Sequence, residues 1–106
     1  MSGGPNSGGI SIDMWSAESG TFRVKTRNIQ TDSSNTINAG GSTYWSYDDL
    51  INVGFKEGDS CWVSVDIDGG ETNHESGNNF TLAQNWPILT YGLRGGLWNP
   101  SWDGPQ

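Results

Sequence analysis

Hydrophobic alternation with a period of two is the feature that most constrains this chain. From Cys61 to Ile67, Cys61, Val63, Val65 and Ile67 alternate with Trp62, Ser64 and Asp66. Successive side chains of an extended strand point to opposite faces, so this pattern predicts a strand with one buried face. The same period recurs as Ile10, Ile12 and Met14 against Ser11, Asp13 and Trp15, and as Phe22, Val24 and Thr26 against Arg23, Lys25 and Arg27. The short turn Ala17–Gly20 between these two runs predicts a hairpin. Further strands are expected at about 50–55, over Phe80–Leu82 and over Ile88–Leu93, with Pro87 placing the last at an edge or bend. Asp48 could begin a single helical turn capped by Ser46 or Asp48, but the apolar run after it favours a strand. No apolar period of 3.6 extends over ten residues. The expected fold is therefore all-β, a small antiparallel β-sandwich, with a partly closed barrel as the alternative.

A chain of 106 residues forms one domain. Residues 1–9 are Ser, Gly, Pro and Asn after Met1, and predict a flexible tail. Residues 10–94 carry the sandwich. Residues 95–106 are too rich in Gly and Pro for a regular element, so an irregular segment packed across the domain is expected, burying part of Leu97, Trp98 and Trp102. Cys61 is the one cysteine, which excludes a disulfide scaffold. No long apolar run or leader-like segment is present, so the expected location is the cytoplasm, or outside the cell without a signal peptide. Twelve acids against five bases give a net charge of −7, a field that repels nucleic-acid phosphates and anionic lipid.

The residues that carry chemistry are sparse. His74 is the lone histidine and lies in a polar loop, while Cys61 falls in the apolar set of its strand, so a Cys–His pair is not expected. No hydrolase, zinc-protease or phosphate-loop motif occurs, and a non-enzyme is expected. Asp66, Asp68 and Glu71 around Gly69-Gly70 form a candidate calcium turn, since hard oxygen ligands suit that ion. The Arg23, Lys25, Arg27 stripe needs acids opposite it, with Asp13 on the neighbouring strand or Asp66 as candidates, or else forms a local anion site.

Six tryptophans in so short a chain point toward binding. A small core has little room for six indoles, each with an N–H that needs a partner. Trp15 and Trp62 fall on outward strand faces. Residues 31–43, almost all Ser, Thr, Asn, Gly and Asp, run into Tyr44-Trp45-Ser46-Tyr47 and could frame a ligand surface. Sugars offer apolar C–H faces to indoles and hydroxyls to Asp and Asn. A non-catalytic, lectin-like protein is therefore expected, with Trp45, Tyr47, Trp98 and Trp102 stacking on the glycan and Asp48, Asn52 and Asn99 bonding to it.

The segment Phe22-Arg-Val-Lys-Thr-Arg-Asn28 followed by polar loop, in a Trp-rich and disulfide-free chain, resembles the aegerolysins, small acidic β-sandwich proteins. The resemblance covers the first part of the chain and carries no residue role. It implies a membrane-lipid headgroup as the alternative ligand. A protein-interaction module, with a homodimer as one form, is a further alternative because exposed aromatics also anchor interfaces.

Overall fold

The computed structural model describes residues 4–106. Its strands are β1 (Asn6–Ser7), β2 (Gly9–Met14), β3 (Gly20–Lys25), β4 (Ser42–Ser46), β5 (Ser60–Ile67), β6 (His74–Glu75), β7 (Phe80–Leu82), β8 (Leu89–Arg94) and β9 (Ser101–Asp103), with one helix, α1 (Tyr47–Val53). They form two sheets. One has the order β1-β7-β5-β3 with β6 also on β5, and the other has the order β4-β2-β8-β9. The all-β sandwich is the fold, and neither sheet closes into a barrel. Most neighbours are antiparallel, but β1–β7 and β2–β8 are parallel, so both sheets are mixed.

The alternation reads directly onto the core. Ile10, Ile12 and Met14 of β2, Phe22 and Val24 of β3, and Cys61, Val63, Val65 and Ile67 of β5 are all buried, joined by Phe80, Leu82, Tyr91 and Leu93. The expected hairpin is not formed. β2 and β3 belong to opposite sheets, and the 15–19 turn carries the chain across the core edge. Their apolar faces meet through the core, a solution that alternation alone does not distinguish from side-by-side pairing.

Three other expectations are corrected. The strand proposed at 50–55 is mostly the helix α1. Its Ser46 cap accepts from the Asp49 amide at 2.9 Å, and Asp49 accepts from the Ser46 amide at 2.9 Å, a reciprocal capping box. Asp48 and Asp49 in the first turn also suit the helix N-terminus, and Leu50 anchors it in the core. These local terms outweigh the modest strand preference of Ile51 and Val53. The expected tail over 1–9 joins a sheet from Pro5 onward, residues 1–3 lying outside the described residues. Pro5 and Ser7 carbonyls accept from Thr81 and Ala83 amides, and the Ser7 hydroxyl accepts from the Leu89 amide at 2.9 Å. Gly8 is required there, because a Cβ at that position would lie 2.1 Å from the Trp86 carbonyl oxygen. The C-terminal segment is not wholly irregular either: β9 pairs antiparallel with β8, matching Leu93 to Trp102.

Residues 29–37 close the outer edge of β3 in an unusual way. Val24 exchanges bonds with Thr31, donating to the hydroxyl at 3.0 Å and accepting from the amide at 2.9 Å. Phe22 does the same with Ser34, at 2.9 and 2.8 Å. Hydroxyls thus replace the carbonyls of a missing strand, which blunts an edge open to intermolecular pairing.

Candidate functional site

The two sheets leave a groove of about 430 Å³ along one side of the sandwich, bounded by residues 31–35 and Ile37, by Ser42–Trp45 of β4 and by Val53 at the end of α1. The hydrogen bonds that pin Thr31 and Ser34 to β3 fix this wall. Tyr44, half exposed at 50 %, precedes Trp45 in β4 and points to the opposite face of the strand; the register partner of Trp45 is the buried Ile10, and its ring is half-buried against the core. Hydroxyls, the Asn35 amide and the Asp32 carboxylate supply the polar groups, and no basic side chain lines the groove.

The remaining expected ligand residues do not gather here. Tyr47 lies in the first turn of α1 and donates its hydroxyl to Glu57 at 2.8 Å, which pushes the phenol pKa up; the same carboxylate oxygen accepts from the Gln84 amide at 2.9 Å. Asp48 and Asn52 are exposed on the helix, outside the groove lining. Trp98 and Asn99 occupy the β8–β9 turn beyond the far end of β2, more than about 13 Å along the strands from Trp45 at a rise of ~3.3 Å per residue. Trp98 is exposed at 69 %, and Asn99 accepts from the Gly96 amide at 3.2 Å within its own turn. Trp102 points inward as a wedge between Phe22 and Tyr91, with its N–H donated to the His74 carbonyl at 3.1 Å. Sequence reasoning named the 31–43 loop and Tyr44-Trp45-Ser46-Tyr47 as a possible ligand surface, but chose Trp45 and Tyr47 as its ligand residues rather than Tyr44, Asp32 and Asn35, which carried no signal beyond their place in that stretch.

The candidate calcium turn does not assemble. Asp66 accepts from the Asn73 amide at 2.6 Å, Asp68 from the Ser19 hydroxyl at 2.9 Å, and Glu71 faces His74 Nδ1 at 3.4 Å. Among the described residues no three carboxylate, imidazole or thiol groups come together as a metal set. Cys61 and His74 sit at opposite ends of β5, opposite Phe80 and Val65 respectively. Burial pushes the Cys61 thiol up to about 12, with Asp59 adding to the rise, so the group is a protonated core residue at neutral pH.

The basic stripe finds different partners from those expected. Asp13 lies in the other sheet, and Asp66 serves Asn73. Lys25 instead pairs with Glu75 at 3.0 Å and bonds to Asn73, while Arg23 donates to the Thr31 carbonyl at 3.3 Å. Lys25 holds the Glu75 carboxyl below its ordinary pKa. Trp62 lies opposite Lys25 and beside Glu75, on the outward face of β5. Its indole also favours the Glu75 anion, yet no well-formed N–H···O bond results: Trp62 Nε1 is the one buried side-chain nitrogen or oxygen among the described residues without a partner. On the other sheet, Trp15 lies flat against Gly92, where a Cβ would fall 2.1 Å from the ring. The Arg94 guanidinium, paired with Asp103, stacks 4.6 Å from its centroid.

No helix among the described residues is long and apolar enough to cross a membrane. Comparison of the chain with protein-family models, with curated proteins and with solved structures returned no match.

Proposed function

We propose that this protein binds a neutral carbohydrate non-covalently in the groove between residues 31–35 and β4. The supporting observation is that Tyr44 and Trp45, consecutive in β4, both line the groove together with a wall of hydroxyl, amide and carboxylate groups. An aromatic face takes the C–H side of a sugar ring, while Ser33, Asn35, Thr43 and Asp32 offer donors and acceptors for its hydroxyls. The lack of a cation in the lining suits a neutral sugar over an acidic one.

A glycan array on the native protein tests this reading, followed by titration of any hit against Tyr44→Ala and Asn35→Ala. Both side chains are exposed, so neither change disturbs the core. The expected result is a neutral glycan hit weakened at least tenfold by Tyr44→Ala and unaffected by a chelator. A silent array, or a hit indifferent to both substitutions, rejects the assignment.

A further inference from the structure

A second concave surface lies on the outward face of the other sheet, centred on Trp62. One hollow, of about 460 Å³, includes Lys25, Arg27, Gln30, Trp62 and Glu75 in its lining. A second, of about 320 Å³, is lined by Trp62, Glu75, Gly77 and Asn79. They share Trp62 and Glu75, so the indole forms a ridge in a continuous trough. Lys25 and Glu75 neutralise each other, whereas Arg27 is exposed and has no hydrogen-bond or ion-pair partner among the described residues. The trough therefore carries one net positive charge on a chain of net charge −7.

We propose that this trough is a second binding site, separate from the Tyr44 groove, and that it takes an acidic oligosaccharide bearing a carboxylate or sulfate. Arg27 receives the acid group, because a guanidinium presents a planar fork of donors matched to such oxygens. The indole ridge takes a sugar ring, and Gln30 and Asn79 on either side reach its hydroxyls. A densely charged polyanion is disfavoured by the overall negative field, which a sparsely charged saccharide feels far less. The ligand acid also competes with Glu75 for Lys25. A displaced Glu75 is free to accept from Trp62 Nε1, which satisfies the orphan donor.

Calorimetric titration at low ionic strength tests the site with three probes: an oligogalacturonate, a chondroitin sulfate oligosaccharide and inorganic sulfate. The variants are Arg27→Gln, Arg94→Gln and Tyr44→Ala, each at an exposed side chain, with circular dichroism to check folding. Arg94 is an exposed cation on β8 of the other sheet, outside the trough. The expected result is that at least one acidic oligosaccharide binds, at least tenfold more tightly than inorganic sulfate. Arg27→Gln weakens it at least fivefold, while Arg94→Gln and Tyr44→Ala leave it within twofold. The proposal is overturned if neither oligosaccharide binds, if Arg27→Gln binds as the parent does, or if inorganic sulfate binds as well as the sugars. An equal loss with Arg94→Gln overturns it too, by exposing diffuse charge attraction. Loss with Tyr44→Ala alone would move the ligand to the first groove.

Discussion

Trp102 and Trp62 are both half-buried indoles on strands, and they do opposite things. Trp102 is inserted between the sheets, edge-on to Phe22 of one at 5.9 Å and to Tyr91 of the other at 5.8 Å between centroids. Its N–H is satisfied by the His74 carbonyl. Trp62 lies on the outer face of β5, beside the Lys25–Glu75 pair, and its buried N–H makes no well-formed hydrogen bond. Strand parity decides the difference. Trp102 faces Leu93 and shares its inward side, whereas Trp62 alternates with the inward Cys61 and Val63. An indole that joins two sheets is part of the fold, whereas one on an outer face is not held by contacts between the sheets.

The sharpest way to break this contrast is to truncate each ring. Trp102→Ala is expected to cost about 3 kcal/mol, because it opens a cavity between the sheets, with urea unfolding as the measurement. A loss below about 1 kcal/mol would remove Trp102 from the core account. Trp102→Phe keeps a ring but strips the donor from the His74 carbonyl, and should cost about 2 kcal/mol by the same assay. Trp62→Ala, on the outer face, should cost about 1 kcal/mol. Trp62→Phe removes a donor that makes no well-formed hydrogen bond, so its stability should stay within about 0.5 kcal/mol of the parent's or rise. If it instead fell as far as Trp102→Phe, Trp62 would have to make a bond in solution.

Acid sharpens the contrast further, with the smallest effect. Lys25 depresses the Glu75 pKa, so the pair contributes stability above the ordinary glutamate range and loses it as pH falls through the lowered value. Glu75→Gln should therefore unfold slightly earlier than the parent at pH 7 and match it in acid below that range. The gap stays small because the Glu75 carboxylate is well exposed to water. Equal offsets at both pH values would disconnect the ion pair from the Trp62 face.

Legibility in the sequence followed side-chain pattern. Cys61, Val63, Val65 and Ile67 announced both the strand and its buried face, as did Ile10, Ile12 and Met14. The helix α1 was half visible: Ser46 and Asp49 have capping spacing, but seven residues give an amphipathic pattern too little length to stand out. β1 was invisible because Asn6 and Ser7 join the sheet through backbone atoms, which composition does not report. In the candidate groove, the polar run into Trp45 was readable. Its hydroxyls had a task no pattern displayed, since Thr31 and Ser34 stand in for strand carbonyls along β3.

By itself the sequence determined that this chain is a β-sandwich, and it determined which side chains of each strong strand point inward. Alternation is a local consequence of extended backbone geometry, so it survives without knowledge of neighbours. Only the tertiary structure decided that β2 and β3 part into different sheets, that Trp98 lies far from Trp45, and that Lys25 meets Glu75. Those are choices of strand order and register between segments distant in the chain. Many orders bury the same apolar faces, and the contacts that select one exist only once the sheets have met.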